Sequence, residues 1–194
     1  MRNTSKQSSN LLKLIILALL GTISLLLFFL NFPLPFLPPY LKIDFSDVPA
    51  LMASLIFSPL AGIIVVAVKN LLYLAVSGAG DPIGVAANFL AGVMFVVPVS
   101  ILYHKYKGVK SIVSGLVTGT LIMAIGMSVL NYFIILPAYG WFMGWEMTNQ
   151  VIWASVLAGV LPFNIIKGII VALLFVPLFI KMHSWITQQQ TKFI

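Results

Sequence analysis

Asn164 and Lys167 put an amide and an amine three residues apart in the run Leu161-Pro162-Phe163-Asn164-Ile165-Ile166-Lys167-Gly168-Ile169-Ile170, which is otherwise apolar. That spacing places both on one helix face. A charge at the centre of a membrane helix is unfavourable by about 3 kcal/mol on insertion scales, so a charge kept there implies a use for it. Pro162 suits the first turn of such a helix, where its missing N–H does no harm. Amides offer donors and an acceptor together, which matches the edge of a heteroaromatic ring, and an ammonium adds a charge or a further donor. This is the chemistry of binding. Metal catalysis needs converging His, Asp or Glu, and the chain has only 2 His and 4 acids, with no Cys. No nucleophile–base pair is visible, and no G-x-x-x-x-G-K-[ST] run cradles a nucleotide phosphate. The expectation is a protein that is not an enzyme and holds neither metal nor cofactor.

The elements that position these groups are membrane helices. The 194 residues are 61% hydrophobic and 8% charged, against roughly 25% charged in a soluble domain. The net charge of +7 does not point to nucleic acid, because the cations flank apolar runs instead of forming one stripe. Residues 1–30 do not read as a cleaved signal: the apolar run after Lys13 is too long and no small-x-small site closes it. Six spans are predicted in one membrane domain: 11–32, 48–57, 59–76, 83–103, 111–136 and 160–180. Residues 1–10 form a polar tail. Residues 33–46 form a loop that Pro33, Pro35, Pro38 and Pro39 keep from being helical, and Ser46 or Asp47 caps the next helix. The second span is short for a bilayer. Residues 77–82 are a turn by composition and 104–110 a basic turn. Pro137 is expected to end span five, and 151–158 to form a separate short helix at the interface. The fold class is an all-α integral membrane bundle of six transmembrane helices.

The cations orient it. Arg2, Lys6, Lys13, Lys105, Lys107, Lys110, Lys181 and Lys192 all fall on one side if both termini are cytoplasmic, as the positive-inside rule requires. The other side receives Lys42, Asp44, Asp47, Asp81 and Glu146, and Trp141, Trp145 and Trp153 gather there as an aromatic belt. At 1.5 Å per residue, Asn70, Asn88, Asn131, Asn164 and Lys167 share a level in the outer half of the membrane, on four different spans, with Asp47 and Lys42 above them. Singly, each Asn could simply join helices. Together they suggest a pocket open to the exterior and closed below by apolar side chains, with Leu41, Met52, Tyr132 and Phe163 available as walls. Lys69, near the midplane, is expected to pair with Asp44 or Asp47, or to snorkel. Gly115-x-x-x-Gly119, and Ala18 with Thr22, are small-residue seams for close packing.

The runs Phe32-Pro33-Leu34-Pro35, Leu41-Lys42-Ile43-Asp44-Phe45-Ser46-Asp47-Val48-Pro49-Ala50, Pro59-Leu60-Ala61-Gly62-Ile63, Lys69-Asn70, Ala87-Asn88-Phe89-Leu90-Ala91-Gly92, Asn131-Tyr132 and Leu161-Pro162-Phe163-Asn164-Ile165-Ile166-Lys167-Gly168 resemble riboflavin-specific S components of energy-coupling-factor (ECF) transporters. The resemblance covers most of the chain. It implies a cell-membrane subunit that captures riboflavin from outside, then docks with a transmembrane coupling subunit and two cytoplasmic ATPases. Asn131, Asn164 and Lys167 match the family's flavin-binding positions, and the loop after span one matches its lid. Asn88, Asp47, Lys42 and Leu41 join them on the depth reading. Two positions depart from the family pattern. The coupling seam of span one, Ala-x-x-x-Ala, is Ala18-x-x-x-Thr22 here, and Val66 stands where some relatives carry a carboxylate. The alternatives are an S component for another vitamin, such as thiamine or biotin, or an unrelated small pore. A pore requires polar residues through the full depth, which the inner half lacks.

Overall fold

The computed structural model describes residues 2–77, 80–144 and 146–193, with side chains from residue 10 to 192 among them. Helix α1 (Arg2–Phe29) leads into a two-residue antiparallel ribbon, β1 (Phe32–Pro33) with β2 (Lys42–Ile43), in which Phe32 faces Ile43 and Pro33 faces Lys42. Then follow α2 (Asp47–Ile56), α3 (Pro59–Val76), α4 (Pro82–Tyr106) and α5 (Gly108–Leu130). α5 passes through a widened π turn (Asn131–Ile135) into α6 (Leu136–Met143). α7 (Asn149–Ser155) passes through a second π turn (Val156–Val160) into α8 (Leu161–Phe193).

The helix starts follow local chemistry. Ser58 accepts from the Ala61 N–H ahead of Pro59, and Asp81 accepts from the Gly84 N–H at 2.8 Å ahead of Pro82. Both pairs combine a side-chain cap with a proline whose missing N–H is harmless. Ser46 was an expected cap, but its side chain caps nothing; the hydroxyl is drawn to Asp44 instead.

Five helical stretches are long and apolar enough to cross a membrane: 10–29, 59–76, 82–106, 108–143 and 149–192. α2 is the sixth helix. Its ten residues are all buried and span about 15 Å, roughly half the hydrocarbon thickness. Its C-terminal carbonyls meet the C-terminal parts of α4 and α8: Ser54 O accepts from Ser100 Oγ at 3.0 Å and contacts His104 Nε2 at 2.9 Å, and Leu55 O accepts from Gln190 Nε2. A helix this short, anchored at those ends of its longer neighbours, begins partway along the bundle. The chain before it must therefore dip into the bundle, and this carries Asp44, Ser46 and Asp47 inward.

α2 packs against α1, α3, α4 and α8 around a core that includes Leu51, Leu55, Val65, Phe95, Leu116 and Phe175. The expected glycine seam in α5 is a real close approach. A Cβ on Gly119 would stand 2.6 Å from Phe95 O, and one on Gly115 would stand 2.9 Å from Val99 Cα.

Three expectations on helix ends are corrected. Pro137 does not end span five; the helix runs on to Met143 and stops at Gly144, which takes φ +70°. Residues 151–158 are not a separate helix but lead into α8, which continues past Ile180 to Phe193. The reason is shared. Each π turn sits immediately before a proline position that would otherwise break the ladder: Leu136 N–H bonds back to Asn131 O before Pro137, and Leu161 N–H to Val156 O before Pro162. The shift in register lets each proline sit within the first turn of a new α segment. At the other end, residues 2–9 of the expected polar tail belong to α1. Of the expected aromatic belt, Trp141 and Trp153 are exposed, and Trp145 lies outside the described residues, as do Gly78 and Ala79 of the turn after α3.

Candidate functional site

A cavity of about 630 Å³ lies between the β-ribbon loop, the C-terminal end of α3, the N-terminal halves of α4 and α8, and the α5–α6 junction. Its volume is in the range of a small-molecule site. Leu41, Lys42, Asn88, Asn131, Asn164 and Lys167, expected from sequence, all line it, and so does the Phe163 ring. Other expected residues do not. Asp47 is the first residue of α2 and lies buried outside the lining, because the short helix pulls it inward. Asn70 lies outside the lining and donates to Val66 O at 2.8 Å. Met52 is in the core, and the Tyr132 ring packs on Trp153 at 5.3 Å.

At the cavity wall, through Asp44 and Lys167, lies a buried charge cluster. Lys167 Nζ donates to Asp44 Oδ2 at 3.0 Å and approaches Asp47 Oδ2 at 3.2 Å. Lys69 Nζ stands 3.9 Å from Asp47 Oδ1 and donates to Ser46 Oγ at 2.9 Å and Asn88 Oδ1 at 2.7 Å. Ser46 gives Asp44 Oδ1 both its backbone N–H, at 2.9 Å, and its hydroxyl. All four charged side chains are at most 5% exposed, and two carboxylates balance two ammoniums. Lys69 thus pairs with Asp47, one of the two carboxylates expected of it. Burial alone would raise the pKa of Asp44. The Lys167 and Lys69 ammoniums, with the Ser46 bonds, outweigh burial and hold the carboxyl below its ordinary 3.8. The two Asp47 oxygens have ion-pair partners but no hydrogen bond among the described residues.

The amides present a specific set of donors and acceptors. Asn131 donates to Met127 O and Asn164 to Val160 O, each at 2.8 Å. That uses one N–H of each and leaves the second N–H and the carbonyl oxygen for the cavity. Asn88 is reversed: Lys69 occupies its oxygen, so its NH₂ remains. Lys167 has three N–H groups, and Asp44 and Asp47 take two directions. Both π turns lie at this level. Asn131 opens the first, and Val160, at the end of the second, accepts from Asn164. π turns frequently mark functional sites.

Sequence reasoning did not place Asp44, Asp81 or Tyr139 in the site, yet all three line the cavity. Asp81-Pro82 was legible as a helix start, but nothing local indicated where its carboxylate would point.

The sequence pattern of the family described as "ECF transporter, substrate-specific component" matches residues 12–179. The chain belongs to this family. As an S component with five long apolar helices, it is a multi-pass protein of the cell membrane. It is 48% identical to the riboflavin transporter FmnP of Bacillus subtilis over 185 residues, covering 94% of this chain and 97% of that one. It is 43% identical to the riboflavin transporter RibU of Staphylococcus aureus, covering 90% and 92%. A solved S component of a bacterial ECF transporter superposes with a TM-score of 0.76 at 44% identity, covering 89% of this chain and 96% of that one. These relatives are transport proteins, not enzymes. In this S component, Ala18 and Thr22 lie on the exposed face of α1. The Thr22 hydroxyl donates to Ala18 O at 3.0 Å, so its hydrogen-bonding need is met within the helix.

Proposed function

We propose that this S component captures riboflavin from the outer side of the membrane and passes it to an ATP-driven coupling module. The observation that carries the reading is the cavity floor, where Asn88 and Lys167 offer donors and Asn131 and Asn164 each offer an acceptor and a remaining N–H. A flavin's pyrimidine edge alternates carbonyl, N–H and carbonyl, and this floor is its complement. Leu41, Ala91, Met127 and Phe163 supply apolar wall for the ring, at roughly 25 cal/mol per Å² removed from water. Affinity then comes mostly from burial and selectivity from the amides. Lys167 has two roles: it directs one N–H into the site and anchors the lid loop through Asp44. Asp47 supports Lys167 from below, and Lys42 stands at the mouth.

The relatives named as riboflavin transporters support the choice of vitamin. The partners proposed are a transmembrane coupling subunit and two cytoplasmic ATPase subunits, with Ala18 and Thr22 of α1 on the docking face. The termini are assigned to the cytoplasm, which leaves the inner boundary rich in lysine and free of Asp and Glu. The direct test is quenching of flavin fluorescence by detergent-solubilised protein, with thiamine and biotin titrated in parallel as competitors. Saturable quenching by riboflavin, unaffected by the other two, is expected. No quenching of riboflavin, with saturable binding of thiamine or biotin by calorimetry instead, would reassign the vitamin.

A further inference from the structure

We propose that Asp81 and Tyr139 form a second polar end of this cavity, one that binds the hydroxylated chain of the substrate. The assignment rests on the reading of the cavity as a flavin site. Tyr139 OH donates to both Asp81 oxygens at 2.8 Å, and both residues line the cavity. Asp81, the N-cap of α4, lies seven residues before Asn88, and Tyr139 eight after Asn131 on the α5–α6 rod. The pair therefore stands roughly 10–12 Å outward of the amides along both helices. Between the two polar levels the same helix faces present Val85, Ile135 and Leu136. The cavity is thus polar at its floor, apolar at its waist and polar at its mouth.

The pair is also a built feature. A Cβ on Gly84 would collide with the Asp81 carboxylate and come within 2.8 Å of Tyr139 OH, so glycine is what lets the two meet. A carboxylate has about four acceptor sites. Here Oδ1 serves the Gly84 N–H and the phenol, and Oδ2 the phenol alone, which leaves Oδ2 open to further donors. The Tyr139 oxygen retains lone pairs of its own. Acceptors of this kind suit the O–H groups of a polyol. A ring seated with its polar edge on the amides carries its N-linked chain toward that level.

The test compares riboflavin with lumiflavin, which has the ring but a methyl group in place of the chain. Asp81→Asn keeps an N-cap of equal quality while removing the charge, and Tyr139→Phe removes only the hydroxyl. Asp81→Asn is expected to weaken riboflavin about tenfold, the scale of one charge-assisted hydrogen bond. Tyr139→Phe is expected to weaken it by less, and lumiflavin should change by less than about twofold with either variant, a difference too small to represent a lost hydrogen bond. Equal losses for both ligands would show a strut between helices and overturn the assignment, as would no loss in either variant. If the unaltered protein quenched neither flavin, the flavin reading itself would fall, and this assignment with it.

Discussion

Replacing Lys167 with Met, a side chain of similar length without charge, would leave Asp44 and Asp47 buried with one ammonium between them. That ammonium, on Lys69, is 3.9 Å from Asp47, while the lost contacts are at 3.0 and 3.2 Å. The cluster would change from neutral to a net charge of −1. Removing one partner of a buried ion pair typically costs 3–5 kcal/mol, because the remaining charge is uncompensated. For a chain of this size each kcal/mol moves the midpoint by about 2–4 °C, so Lys167→Met should lower Tm by roughly 10 °C without any ligand. Adding Asp44→Asn restores neutrality, with Asp47 facing Lys69. The double variant should then recover a coupling energy at the upper end of about 0.5–3 kcal/mol. The assay is thermal unfolding of detergent-solubilised protein, followed by tryptophan fluorescence, for the unaltered chain, both single variants and the double. The reasoning is refuted if the Lys167→Met midpoint stays within a degree or two of the unaltered protein, or if the double variant is no more stable than the less stable single.

Asn164→Ala should weaken riboflavin by roughly 10- to 100-fold, the range for a buried polar partner left unpaired, with a Tm shift of only a few degrees; unchanged fluorescence quenching would remove Asn164 from the site. Gly168 on α8 faces Thr120 on α5 so closely that an added Cβ would overlap the threonine side chain. Gly168→Ala should therefore destabilise by about 1–3 kcal/mol, with Thr120→Ala on that background restoring part of it; no rescue would show that the two helices are not in contact there. Because Asp44 titrates below its ordinary 3.8 in the folded chain, its charged form stabilises the fold above about pH 4, and that stabilisation is lost as pH falls further. Tm measured against pH should drop on the acid side, and Asp44→Asn should lack the part of the drop that Asp44 supplies; an identical acid limb in the variant would exclude Asp44 as its source.

Much of the site was legible because its determinants are local. Hydropathy and charge are properties of short windows, so the membrane class, the short second span and the lysine-rich side could be read along the chain. Depth follows from counting residues along a rod, which is why Asn88, Asn131, Asn164 and Lys167 were placed at one level and do share a cavity. Counting fixes height but not rotation or partners. Asn70 has the right height and lies outside the cavity, bonded back to its own helix. Asp47 looked like a loop residue above the site and is buried outside its lining beside Lys69 and Lys167, because α2 is anchored at its far end by Ser100, His104 and Gln190. The link between Asp44 and Lys167 spans 123 positions, and that between Asp81 and Tyr139 spans 58. No window of sequence contains either pair. The residue types alone dictated that polar groups sit in an apolar slab at a given depth, because burial of charge is penalised wherever it occurs. Which carboxylate answers which lysine, and which amide faces the cavity, was decided only when packed helices set one another's rotation.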